Sequence, residues 1–424
     1  LPFALTNAQQ KVWREISHDL AQTHPMQRLL QGDVGSGKTI VAALAALQAI
    51  ENGYQVALMA PTEILAEQHY LKLRDWLEPL GISPAWLSGS LKKKDKTAAI
   101  ERVASGDTLL AIGTHALFQS QVEFNQLGLV IVDEQHKFGV QQRLALRGKG
   151  GKPHQLMMSA TPIPRTLAMS YFADLDVSVI DELPPGRTPV VTKLVNDVRR
   201  EEVFERVRHA CQEGRQAYWV CPLIDESEAL QLQTALETYA TLSETFPDLR
   251  VGLVHGKLDN AEKARVMAAF KANDIQLLVA TTVIEVGVDV PNASMMVIDH
   301  AERMGLAQLH QLRGRVGRGA AHSLCVLLFS TPLSELARAR LKIIYENTDG
   351  FAIAQHDLQL RGPGELLGAR QSGVPMLRFA DIEQDAALLN QARDMADEML
   401  RDYPDAARAH LQRWMASKPD YLQA

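Results

Sequence analysis

Short, unbroken apolar runs alternate with amphipathic stretches from residue 28 to residue 330. "QVALMA" (55–60), "TLLAIGT" (108–114), "LGLVIVDE" (127–134) and "HQLMMSAT" (154–161) have no solvated alternate face. Runs of that kind predict strands covered on both sides, as in a parallel sheet. The pattern restarts after residue 190 with "VVTKLV", "QAYWVCP" (216–222), "VGLVHG" (251–256), "IQLLVATT" (275–282), "SMMVIDH" (294–300) and "HSLCVLLFS" (322–330). The segments between them carry helical periodicity. One, over 259–271, opens on Asp259 with Glu262 three positions on, the spacing of a capping box. Strand–helix alternation of this length predicts an α/β fold with parallel sheets.

Punctuation divides the chain. "ELPPGRTP" (182–189) holds three prolines and a glycine in eight residues and reads as a linker. The expected units are therefore 1–187, 188–332 and a helical region, 333–424. That last region opens with the helical "SELARARLKIIYENTDG" and passes through "RGPGELLGARQSG" (361–373), whose four glycines mark a loop. It turns helical again over 381–415, where Ile382, Leu389, Ala392, Ala396 and Met399 recur at heptad-like spacing and read as ordinary core packing.

Composition narrows the class. The 424 residues are 46% hydrophobic and 22% charged, and the net charge of −6 rules out a global basic field. Binding to nucleic acid must then use local patches. The group Lys92, Lys93, Lys94 and Lys96 reads as a solvated loop. The three cysteines, Cys211, Cys221 and Cys325, form no CxxC pair and read as reduced and buried, as in cytosol. No apolar run reaches the length of a membrane span, and "LPFALTNAQQ" is not a signal peptide. Its start without Met is expected of a segment of a longer protein.

Candidate chemistry begins at "GDVGSGKT" (32–39), which fits G-x-x-x-x-G-K-[ST] between a strand and the helical "IVAALAALQAI". Gly32, Gly35 and Gly37 let the backbone of Asp33, Val34 and Ser36 curl around phosphate oxygens at a helix N-terminus. Lys38 reaches the β- and γ-phosphates of ATP, and the Thr39 hydroxyl ligates Mg²⁺. A partner carboxylate follows in "LVIVDEQH": Asp133 for the metal, directly or through its water, and Glu134 to orient or deprotonate the attacking water. In "QLRGRVGRG" (311–319), Arg313, Arg315 and Arg318 crowd three positive charges together, so an anion is expected there. A cleft between two lobes would bring these arginines to the γ-phosphate.

With these stand "LTNAQ" (5–9), "APTEILAEQH" (60–69), "GTHAL" (113–117), "SATPIPRT" (159–166), "VHGKL" (254–258) and "ATTVIEVGVDVPNA" (280–293). In this order the motifs resemble those of the superfamily-two helicases and translocases, which implies two tandem RecA-like P-loop domains. By that resemblance Gln9 contacts adenine, and Asp289 helps close the nucleotide cleft. His136, Ser159 and Thr161 couple hydrolysis to domain movement, and Thr114 and Thr282 lie along DNA phosphates. Arg315 and Arg318 meet the γ-phosphate, with Arg318 as the finger.

"DGFAIAQHDLQLRGPGELLGARQSG" (349–373) is similar to the hairpin-and-loop motif of the RecG type. That resemblance implies an ATP- and Mg²⁺-dependent motor on double-stranded DNA that remodels stalled forks and Holliday junctions in repair and recombination. In it, Arg340, Arg361 and Gln371 belong to the translocating hairpin and loop. It further implies a monomeric, cytoplasmic, nucleoid-associated chain with single-stranded-DNA-binding protein as a partner and no membrane. The related transcription-repair coupling factor tends to carry alanine and asparagine where this chain has Pro363 and Glu365. A nucleotide-gated DNA-binding module without turnover is the other alternative. Lys137 departs from the arginine usual after "DEQH". The OB-like wedge domain that precedes "LTNAQ" in the RecG type is expected to be missing here, leaving a motor that recognises branched DNA poorly.

Overall fold

The computed structural model describes residues 3–89, 91–119, 121–134, 152–160, 175–182, 189–222, 228–281, 290–317, 322–361 and 385–415. The first sheet has seven strands: β1 (Gln27–Gly32), β2 (Gln55–Met59), β3 (Ala85–Leu87), β4 (Leu110–Gly113), β5 (Leu127–Val132), β6 (His154–Ser159) and β7 (Asp176–Ile180). Their order is β3-β4-β2-β5-β6-β1-β7, and every pairing is parallel. The second sheet has six: β8 (Val191–Asn196), β9 (Gln216–Val220), β10 (Val251–Val254), β11 (Leu277–Ala280), β12 (Ala293–Ile298) and β13 (Leu324–Phe329). Its order is β10-β11-β9-β12-β13-β8, again parallel. These are two RecA-like lobes. In each, parallel direction places every strand's carboxyl end on one edge, where ligands of open α/β sheets bind.

Each apolar run named above contains a strand. The pattern missed β3 and β7. The first is only three residues long, and both lie at sheet edges, where burial is incomplete and no continuous apolar run is required.

Helices cover both faces of the first sheet. On one, Val12 and Ile16 of the helix Asn7–Leu20 and Val41, Ala42, Ala45 and Ala46 of the helix Lys38–Glu51 pack on Leu30, Ile131 and Leu156. The alanines are small enough to let that helix lie close to the strands. On the other face, Val103 and Leu117 join Leu29, Met59, Val130 and Met157. In the second lobe Tyr218 meets Phe270 across one face, while Trp219 meets Phe204 on the other. The core of this lobe continues past residue 331, through Leu341 and Ile344 of the helix Glu335–Glu346 and Ile353 of the helix Gly350–Arg361. No helix among the described residues is long and apolar enough to cross a membrane.

Three local expectations are corrected. The lysine cluster is no loop: Lys92 is the N-cap and Lys93 the first residue of the helix Lys93–Ser105. The heptad-like stripe after residue 381 is not core where it can be followed, Met399 being partly buried and Ile382 and the side chain of Leu389 lying outside the described residues. Ala392 and Ala396 are exposed, as are Leu388 (55%), Met395 (62%) and Leu400 (61%). This region forms two helices, Ala386–Asp402 and Pro404–Met415, which pack on each other. Periodicity establishes an amphipathic helix but not what covers its apolar face. Of the box at Asp259, one half is present: the Asp259 carboxylate accepts from the Glu262 amide at 2.7 Å. The linker residues 183–188 and the loop 362–373 lie outside the described residues.

Two outcomes follow from this packing. A Cβ added to Gly113 would sit 1.9 Å from the Leu87 carbonyl oxygen, so Gly113→Ala must push β4 from β3. It should cost about 1–3 kcal/mol, read as a lower thermal midpoint. Burial raises the thiols of Cys211 to about 11 and of Cys221 and Cys325 to about 12. At pH 8 a thiol reagent should therefore label none of the three in the native chain and all three in denaturant.

Candidate nucleotide site between the lobes

β1 stops at Gly32, and the helix Lys38–Glu51 begins six residues later. The turn between them needs glycine: Gly35 has φ 81° and Gly37 has φ 91°, a region that side chains disfavour. At Gly32 a Cβ would lie 2.5 Å from Ser36 Oγ. No side chain caps the helix that follows, which leaves its N-terminus without a side-chain acceptor, as an anion site would require.

Lys38 folds back into that loop. Its Nζ donates to Gly32 O at 2.7 Å and to Asp33 O at 3.1 Å. Burial holds its pKa below the usual lysine value, against the carboxylates of Glu134, Asp133 and Asp33, and the charge of Arg315 lowers it further. Gln9 closes the other side. Its Nε2 donates to Ser36 O at 2.8 Å, and its Oε1 accepts from the Thr6 amide at 3.0 Å, completing the capping box of the helix Asn7–Leu20.

Asp133 and Glu134 follow the end of β5, and both are buried. Asp133 Oδ2 lies 2.7 Å from His69 Nε2, and its Oδ1 accepts from the Glu134 amide at 3.0 Å. Burial alone would raise the Asp133 pKa, but the His69 hydrogen bond and the nearby charges of His69 and Lys38 bring it below the usual carboxylate value. Glu134 has φ 51°, a left-handed conformation that costs an ordinary residue about 1–3 kcal/mol and is characteristic of functional sites. A hydroxyl at Thr39 and a carboxylate at Asp133 are hard oxygen donors of the kind Mg²⁺ takes alongside phosphate and water. Among the described residues no cluster of three His, Cys, Asp or Glu side chains could hold a metal ion by itself.

The second lobe reaches this loop through the helix Leu306–Arg313. His310 Nε2 lies 2.9 Å from Asp33 Oδ1, and Gly314 is so close to Val34 that a Cβ there would fall 2.8 Å from the Val34 Cβ. A second bridge joins Asn260 Nδ2 to Glu63 Oε2 at 2.6 Å. Arg315 is buried, with its charge felt at Lys38.

Arg313 corrects an expectation. It is not an anion ligand: its guanidinium donates to Ile344 O at 2.9 Å, Asn347 O at 2.8 Å and Thr348 O at 3.1 Å, and lies 3.0 Å from His310 Nδ1. Arg340 is likewise turned inward, donating to Met304 O and Glu302 O at 3.1 Å each. Thr114, just past β4, and Ser159, which ends β6, are both buried. His136, Thr161, Thr282, Asp289, Arg318 and Gln371 lie outside the described residues, as does the side chain of Arg361. His69 and His310 drew no role from the sequence. His69 ends one motif and His310 immediately precedes another, but a lone histidine carries no spacing signal, and only the fold supplies its partner.

Similarity to known proteins agrees with this architecture. Residues 6–170 match the family model "DEAD/DEAH box helicase", residues 200–320 "Helicase conserved C-terminal domain", and residues 347–415 "ATP-dependent DNA helicase RecG, domain 3, C-terminal". The chain is 59% identical to the "ATP-dependent DNA helicase RecG" of Escherichia coli O157:H7 and 55% identical to that of Haemophilus influenzae. It is covered completely in both alignments and spans 62% of the length of each relative. Among solved structures, "Structure of RecG bound to three-way DNA junction" superposes with a TM-score of 0.74 at 46% identity, covering 92% of this chain and 51% of that one. A DNA-bound DUF1998 helicase, MrfA, at 16% identity and a TM-score of 0.61, shares the fold alone. With end-to-end identity above one half, the two helicase-lobe matches and a C-terminal match particular to one branch, the chain is similar along its whole length to the RecG-type helicases.

Proposed function

We propose that this chain is the ATP-hydrolysing motor of a double-stranded DNA translocase that remodels branched DNA such as stalled forks and Holliday junctions. One observation carries the reading: the second lobe seats His310 on the P-loop carboxylate of Asp33 at 2.9 Å and brings the charge of Arg315 to Lys38. A nucleotide bound in the loop then lies between the lobes and governs how they meet.

In this reading Lys38 exchanges its two carbonyl partners for phosphate oxygens, and the amides of residues 33–37 surround them. Thr39 and Asp133 hold Mg²⁺, which supplies charge neutralisation at the phosphates. Glu134 positions and deprotonates the attacking water, while Arg315 and Arg318 stabilise charge on the transferred phosphoryl group. Gln9 recognises adenine and Asp289 closes the cleft. His136, Ser159 and Thr161 pass the change to Thr114 and Thr282 on the DNA path. The route to the DNA-moving loop runs through Arg313, whose carbonyl partners lie in the last turn of the helix Glu335–Glu346 and in its link to the helix Gly350–Arg361, and on to Arg340, Arg361 and Gln371. The motor works as a monomer at the nucleoid, with single-stranded-DNA-binding protein as a partner at forks.

Steady-state ATPase on forked, linear and single-stranded DNA tests the proposal. The wild-type chain should be stimulated by DNA, and Arg318→Ala should lose about 10³-fold in rate. DNA-dependent turnover that survives this change would remove the motor reading. Arg313→Ala should leave buried carbonyls without their donor and lower stability by about 2–4 kcal/mol. An unchanged thermal midpoint would show that the relay does not hold the lobe together.

A further inference from the structure

His69 lies in the helix Glu63–Leu77, is buried, and points its Nε2 at Asp133 Oδ2 across 2.7 Å. An ionised carboxylate only accepts hydrogen bonds, so the proton in this contact resides on Nε2. The other carboxylate oxygen is held by the Glu134 amide at 3.0 Å, and the Asp133 amide is tied to Met59 O at 2.8 Å. The carboxylate is therefore held at both oxygens while its backbone is fixed by a third bond, and His69 supplies the one side chain among these partners.

The histidine is itself firmly placed. Thr62 caps the start of its helix, its Oγ1 accepting from the Leu65 amide at 3.3 Å. Glu63, the first residue, is held from the other lobe by Asn260 at 2.6 Å. Leu73 and Leu77, one and two turns further on, are buried in the first-lobe core. Only about 9 Å of helix separates Glu63 from His69.

We propose that His69 is a positioning residue for ATP hydrolysis: it holds Asp133 in the orientation that receives the Mg²⁺ of the bound nucleotide. This rests on the reading of Asp133 as the metal carboxylate. Groups that orient a metal ligand from behind are worth about 10–100-fold in metal affinity or activity.

Four variants of the full chain test it. His69→Leu fills the space without a donor, whereas His69→Gln places an amide N–H near the position of Nε2. Two measurements are made: the Mg²⁺ dependence of DNA-stimulated ATPase, and the affinity for a fluorescent ATP analogue in Mg²⁺ and in EDTA. His69→Leu should raise the half-maximal Mg²⁺ concentration about tenfold and lose the gain in analogue affinity that Mg²⁺ brings. Its affinity in EDTA should stay at the wild-type value, which a merely structural defect would not allow. His69→Gln should restore most of both. A wild-type Mg²⁺ response in His69→Leu overturns the proposal. If that variant does not fold, His69→Asn, whose amide falls short of Asp133, takes its place under the same criterion. Asp133→Ala separates the two levels. If it too leaves the Mg²⁺ response unchanged, the metal role of Asp133 fails. If it alone shifts the response, only the role of His69 fails.

Discussion

Two cations face each other across the seam between the lobes: Lys38 from the P-loop and Arg315 from the second lobe. Both are buried or nearly so, where water screens them poorly. The carboxylates of Glu134, Asp133 and Asp33 outweigh that repulsion at Lys38, and His310 ties the lobes together at Asp33. In the proposed reading a triphosphate places further negative charge between the two cations. Its binding and breakage would then alter the force between the lobes directly, through charge, at the seam itself.

The parallel sheets make that seam possible. Because all strands of a sheet run one way, the P-loop after β1, Thr114 after β4, Asp133 after β5 and Ser159 at the end of β6 emerge on a single edge. The left-handed turn at Glu134 aims a buried carboxylate beside Lys38, and His69 approaches its neighbour Asp133 from a separate helix. Beyond the seam, the hydrogen bonds of Arg313 run from His310 to the carbonyls that join two C-terminal helices. The P-loop is thus linked to the helices Glu335–Glu346 and Gly350–Arg361 by contiguous polar contacts that cross from one lobe to the other.

Much of this was legible in the chain itself. Unbroken apolar runs specified the central strands because only burial on both faces removes the need for a polar side. Glycines at 35 and 37, followed by lysine and threonine, specified the phosphate loop because its positive φ angles exclude other residues. Buried cysteines could be read from their number and spacing, and the RecG-type branch from the C-terminal motif. The edge strands β3 and β7 could not be read, since partial burial leaves no continuous apolar signal. Nor could the environment of the C-terminal helices, where amphipathic spacing is the same whether the apolar stripe is covered or exposed.

Local chemistry in the sequence determined which residues can hold a phosphate and where strands and helices form, because those depend on backbone geometry and on neighbours a few positions away. Only the tertiary structure decided the partners: His69 for Asp133 from 64 positions away, His310 for Asp33 from 277, and Arg313 for its own carbonyls rather than an anion. A hydrogen bond is directional and short, so its partner is chosen by where the fold brings two groups within 3 Å or so, which residue types alone do not encode.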